Sequence, residues 1–262
     1  LRPLGLRLTY ESPEDEEVDR EQPLMSHLLE LRSRLVKAAV SVLVVFAVLS
    51  PFMKHIFDFL SQPLMAALPQ GVKMLSTGVV APFFVPLKVT LFLAFLISLP
   101  YVLYQVWAFV APGLYKREKR LVFPILASSI LMFALGMLYC YFIVFRMVFM
   151  FIAGFSPESV NFAPDIDAYF SFVITMFFAF GVTFEVPIVV MVLNRMGVAS
   201  YHGLTKVRPY VIVGAFVVAA IVTPPDVMSQ CLLAVPLVVL YQVGLWCVKL
   251  FGKKDENPDT QS

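Results

Sequence analysis

The sequence predicts an all-α, polytopic integral membrane protein with six transmembrane helices. Of its 262 residues 60% are hydrophobic and 15% charged, and the mean hydropathy is +0.83. Near-continuous apolar stretches of about 20 residues recur along the chain, the length a helix needs to cross a ~30 Å hydrocarbon core. The short segments between them carry basic residues unequally. The weaker alternating pattern of a membrane β-barrel, in runs of ~10 residues, is absent.

Residues 1–24 are polar and acidic, with Glu14-Asp15-Glu16-Glu17 in sequence, and lack the basic end and apolar core of a signal peptide. They read as a disordered extension. The chain opens on Leu1, and Met25 reads as an alternative start. Residues 25–251 form the membrane domain, with spans at about 33–53, 87–109, 122–150, 169–193, 209–223 and 228–249, and 252–262 read as a disordered tail. Basic residues gather at Arg32, Arg34 and Lys37, at Lys116–Arg120, at Arg195, Lys206 and Arg208, and at Lys249, Lys253 and Lys254. The alternate loops hold few or none, so the positive-inside rule places both termini in the cytoplasm. The segment from His55 (HIFDFLSQPLMAAL) is amphipathic and is expected to lie along the outer membrane surface as a cap. Prolines at 100, 124, 187 and 236 punctuate the spans and suggest bent helices in a curved, open bundle. The fifth span, Pro209–Thr223, is expected to be short, ~22 Å at 1.5 Å per residue.

Composition also excludes functions. Cys140, Cys231 and Cys247 sit in apolar runs without a CxxC, and His27, His55 and His202 are far apart, so no metal spacing exists. No phosphate loop, H-E-x-x-H or nucleophile-with-base pattern is present, and no aromatic-interleaved basic domain for nucleic acid. The expectation is a protein that is not an enzyme and carries no cofactor.

Glu185 is the lone charge between Tyr169 and Leu193. An ionisable group there costs roughly 2.5–3.5 kcal/mol on insertion scales, which makes it a functional candidate. The alternative is a neutral or hydrogen-bonded carboxyl that fixes packing. Polar Thr223, Asp226 and Gln230 fall in or near the membrane and are expected to seek partners, on a proton path or on other subunits. Two further acids lie at the cytoplasmic edge. Glu30 stands in SHLLELRSRL (26–35), four residues before Arg34, so an ordinary i,i+4 ion pair is the alternative to a binding role. Glu118 stands among four cations in FVAPGLYKREKR (109–120). The cations serve orientation and headgroups, but an acid beside Phe109 suits a guanidinium, which it can hold in a fork. Internal pairing of Glu118 is the competing reading.

With HLLELRSRL (27–35), WAFVAPGLYKREKR (107–120), AFGVTFEVP (179–187), KVRPYVIVGAF (206–216) and TPPDVMSQ (223–230), in this order across six spans, the chain resembles the TatC family. These are the signal-peptide receptors of the twin-arginine translocase. The resemblance covers nearly all of 23–251. It implies a non-enzymatic receptor that binds twin-arginine signal peptides of folded exported proteins at the cytoplasmic face of the bacterial inner membrane. Carried over by position, Glu30 and Glu118 would meet the paired arginines, with Leu31, Arg32 and Phe109 shaping the adjoining surface. The fifth and sixth spans would dock the single-span partners TatB and TatA, with Thr223 and Gln230 as polar contacts, alongside other copies of the chain and membrane lipids. Proton-motive force would drive export. One departure is Arg146, where close relatives tend to have proline. The competing class is an ion-coupled solute transporter using Glu185 and Asp226; it predicts facing acids and repeat symmetry, and the chain has one mid-membrane acid and no repeat.

Overall fold

The computed structural model describes residues 13–66, 75–110, 119–155, 165–223 and 227–251. Every span among them is helical: α1 (Pro13–Leu49), α2 (Met53–Ala66), α3 (Ala81–Val110), α4 (Lys119–Tyr139), α5 (Phe145–Phe155), α6 (Ile166–Phe184), α7 (Val186–Arg195), α8 (Tyr201–Val222) and α9 (Val227–Phe251). Six stretches are long and apolar enough to cross a membrane: Leu28–Ser61, Ala81–Val110, Val122–Phe151, Ile166–Arg195, Tyr201–Val222 and Val227–Phe251. The six expected spans therefore stand, with longer ends.

Two expectations need correction. Residues 13–24, expected to be disordered, are the first turns of α1. Pro13 at the first helical position is a favourable helix start, because the proline lacks an amide the helix would not use. Residues 1–12 and 252–262 lie outside the described residues. The fifth helix is not short: it begins at Tyr201, capped by the Ser200 hydroxyl accepting from the Gly203 amide at 3.0 Å. Its 22 residues reach about 33 Å. The apolar count missed its first two turns because they carry the exposed Lys206 and Arg208.

Helix breaks fall where the sequence removes or relocates a backbone bond. Pro51 turns the end of α1 into a tight turn at Ser50–Phe52 before α2 continues. The amphipathic piece is this α2; it packs Ile56, Phe57 and Leu60 against the core, with Phe57 5.1 Å from Phe170 ring to ring. Between α4 and α5, Cys140–Val144 form one wide π-turn. Between α6 and α7, Pro187 has no amide to donate, and the chain kinks at Glu185.

The helices pack as an open row: α1 on α3, α3 on α4 and α6, α4 on α6, α7 on α9, and α9 on α8. In lipid the apolar effect between helices is absent, so close fit must supply the attraction. At Gly136 and Gly181 the fit is tightest. A side chain on Gly136 would collide with the Phe180 carbonyl, and one on Gly181 with the Phe133 ring. Around this crossing Phe145 stacks edge-on against Phe177 at 5.1 Å, and Phe149 lies on Tyr169 at 5.5 Å.

At one end of the bundle, the chain before α3 is tied to the start of α6. Leu75 and Asp165 form an isolated parallel bridge, with the Ile166 amide donating to the Leu75 carbonyl at 2.8 Å. Asp165 caps α6 by accepting from the amides of Asp167 and Ala168, and also accepts from the amide and hydroxyl of Thr77. These donors, the Thr77 hydroxyl foremost, hold its carboxyl down at about 2.

Gly136→Val is expected to destabilise the protein by about 1–3 kcal/mol through overpacking. Thermal denaturation in detergent reads this, with Gly214→Ala, whose Cβ meets open space, as the unaffected control. Because Asp165 titrates lower folded than unfolded (~3.9), the Thr77 tie is fully present above pH ~4. It is lost as pH falls toward about 2. Amide exchange at Thr77, corrected for intrinsic rate, should keep its protection from pH 7 to 5, and Asp165→Ala should abolish it at either pH.

Candidate functional site

Three polar groupings stand out against the apolar bundle. The first joins α1 to the end of α3. Arg34 donates to Glu30 Oε1 through Nε at 3.0 Å and Nη2 at 2.6 Å, and its Nη1 reaches Gln105 Oε1 at 3.4 Å. The i,i+4 pair anticipated as the alternative reading thus forms, and it does more than decorate a surface. It holds the Glu30 carboxylate beside α3, four residues before Phe109. Glu30 and Phe109 are half-buried, while Leu31 and Arg32 are exposed, as are Leu28 and Leu29 on the same turns. Glu118 lies outside the described residues. Val110 ends α3 and Lys119 begins α4.

The second grouping is internal. Trp107, only 3% exposed, donates through Nε1 to the fully buried Ser129 hydroxyl at 2.8 Å. An accepting hydroxyl still has its own proton to give, and Ser129 lies against the Glu185 carboxyl. The contact is outside strict hydrogen-bond geometry, so neither Glu185 oxygen has a directed partner among the described residues. Glu185 is 8% exposed and sits at the kink between α6 and α7, where its carbonyl accepts the Ile188 and Val189 amides at 3.0 Å. Placing the acid at a helix break puts it where backbone as well as side chain departs from regular packing. Unsatisfied polar atoms at such depth are costly.

The third grouping is at the turn from α8 to α9. Thr223 is buried, and its hydroxyl returns to the Ala219 carbonyl of its own helix at 2.8 Å. Gln230 donates to the Phe216 carbonyl at 3.2 Å, joining α9 to α8. Asp226 lies outside the described residues. Glu185, Thr223 and Gln230, grouped in the sequence as intramembrane polar residues, are therefore two separate sites. Glu185 looks toward α4, and the other two close the α8–α9 turn.

Sequence reasoning missed Gln105, Trp107 and Ser129. Their signal was present: one of two tryptophans, and polar residues inside otherwise apolar runs. What was lacking was the pairing across spans, 22 residues apart for Trp107 and Ser129. Among the described residues no three histidine, cysteine or acidic side chains cluster as a metal site.

The sequence model of the family described as "Sec-independent protein translocase protein (TatC)" matches residues 26–236. The chain belongs to the TatC family. It is 48% identical over 240 residues to the protein of that description from Escherichia coli, covering 92% of this chain and 93% of the relative. The Haemophilus influenzae relative is 45% identical over 239 residues, with 91% and 93% covered. Among solved structures it is similar to one described as the twin-arginine translocase receptor TatC, with a TM-score of 0.75, 39% identity, and 86% of this chain and 98% of that chain covered. As a TatC-family chain with six spanning helices, it is a multi-pass protein of the bacterial inner membrane in a protein-transport role.

Replacing Trp107 with Phe removes the donor to Ser129 while keeping an aromatic ring. It should lower stability by about 1–2 kcal/mol, the cost of a buried polar partner lost, read as the denaturation midpoint in detergent.

Proposed function

We propose that this chain is the signal-reading subunit of a twin-arginine translocase and uses Glu30 and Glu118 to hold the two arginines of the signal. Family membership supports the reading, and the observation that carries it is the contact in which two Arg34 donors meet Glu30 Oε1. Glu30 already stands in a geometry in which one carboxylate oxygen accepts a guanidinium through two donors, near Gln105 in the last turns of α3. Two carboxylates on separate segments can each take one planar guanidinium, and lysine lacks the fork. The half-exposed Arg34 pair is weak enough to exchange, since ion pairs open to water contribute about 0–1 kcal/mol.

In this reading both termini and the Glu118 connection face the cytoplasm, by the distribution of basic residues. The packed α2 and the Leu75–Asp165 tie then form the outward cap. Leu31, Arg32 and Phe109 line the surface next to the acids. The α8–α9 turn, with Thr223, Asp226 and Gln230, and the Glu185 kink are contact points for inserted helices: the single-span TatB and TatA, the signal itself, or another copy of the chain. The chain carries out no catalysis of its own, and the proton-motive force drives export.

Cross-linking from positions 30 and 118 to a twin-arginine signal peptide and its twin-lysine version tests this. Preferential capture of the arginine peptide is expected, and equal capture would overturn the assignment. Glu30→Ala and Glu118→Ala should each weaken binding by roughly tenfold or more, from the ~1.5–3 kcal/mol of a charged hydrogen bond, with helical content unchanged by circular dichroism.

A further inference from the structure

Between α3 and α6, which run in the same direction from the same membrane face, an open groove of about 460 Å³ is lined by Leu91, Phe92, Phe95, Ile174 and Phe178. Its lining also includes Lys88, Ser171 and Thr175. The Lys88 ammonium donates to Asp167 Oδ1 at 2.6 Å and to the Ser171 hydroxyl at 3.2 Å. An ammonium has three donors, so among the described partners one remains for a ligand. Both members of the ion pair are open, Lys88 at 42% and Asp167 at 44% side-chain exposure.

Depth decides what this end of the groove meets. The spans Ala81–Val110 and Ile166–Arg195 have 30 residues each, about 45 Å of helix, against a ~30 Å hydrocarbon core. Centred, each overhangs the core by about 7–8 Å. Lys88, seven residues into α3, then lies near the edge of the hydrocarbon. Asp167, one residue into α6, stands about 6 Å outside it. Those are backbone depths; the ammonium and the carboxylate are 2.6 Å apart and share one level near the edge of the core, with an apolar trough running inward from both.

An adjacent cation and carboxylate at that level, above an apolar trough, are complementary to a zwitterionic lipid, whose headgroup carries a phosphate and an amine. We propose that this groove binds a phospholipid of the phosphatidylethanolamine type. Its phosphate sits on Lys88 and the Ser171 hydroxyl, its ammonium on Asp167, and one acyl chain lies along Phe92, Phe95 and Phe178. A primary ammonium offers hydrogen bonds to the carboxylate that a trimethylated choline cannot. A purely anionic headgroup leaves Asp167 facing a like charge. The exposed Lys88–Asp167 pair is cheap to open or share, and the ligand keeps both charges compensated. This proposal stands on the membrane location of the chain and is independent of how the signal is read.

The test uses the full chain, delipidated in detergent and titrated with phosphatidylethanolamine, phosphatidylcholine or phosphatidylglycerol of matched acyl chains, with bound lipid counted by native mass spectrometry. Wild type should prefer phosphatidylethanolamine over phosphatidylcholine about fivefold, the ratio given by roughly 1 kcal/mol per interfacial charge contact. Asp167→Asn should bring that ratio to about one while phosphatidylcholine binding persists. Lys88→Gln should weaken all three lipids. Unaltered circular dichroism of both variants keeps the readout on binding. Equal binding of the two zwitterionic lipids by wild type, preference for phosphatidylglycerol, or wild-type selectivity in Asp167→Asn would each overturn the proposal.

Discussion

In hydrocarbon there is no water to satisfy a backbone amide or carbonyl, so irregular backbone survives only where protein covers it. Two departures from regular helix here obey that constraint. The π-turn at Cys140–Val144 has both its end residues buried in the core. The kink at Glu185 is closed by Val182 and Thr183 carbonyls accepting its amide on one side and by the Ile188 and Val189 amides on the other. The close crossing at Gly136 and Gly181 lets α4 and α6 shield these breaks, because only glycine permits the backbones to approach so nearly. The break that holds Glu185 and the packing that tolerates it are parts of one arrangement.

The same constraint separates two kinds of acid. Glu30 is held where water reaches, by a neighbour one turn along, and its contacts can exchange. Glu185 is held by burial, next to Ser129 and the Trp107 that bonds it, and exchanges with nothing from water. Asp165 and Asp167, two residues apart, show a similar division at the other end: the first is spent on capping α6 and tying Thr77, the second shares an open cation with a lipid-facing groove.

Much of this was legible without coordinates. Six spans follow from the length and spacing of apolar runs, and the burial of Glu185 from its isolation in one of them. The errors share a cause. The first turns of α8 and of α1 are polar, and hydropathy detects lipid contact rather than helix, so helical residues outside the core went uncounted. The Thr223 hydroxyl donates to the Ala219 carbonyl of its own helix, a bond composition cannot reveal.

What the sequence by itself determined is the solvent each segment inhabits: transfer free energy is a property of residues in a row, and so span number and the cost of Glu185 can be read directly. Only the tertiary structure decided partnership. Arg34 with Gln105, Trp107 with Ser129, and Lys88 with Asp167 join residues 71, 22 and 79 positions apart. Those pairs depend on which helix faces meet, and in lipid the meeting is set by close steric fit rather than by hydrophobicity. A linear pattern of apolar residues carries no record of it.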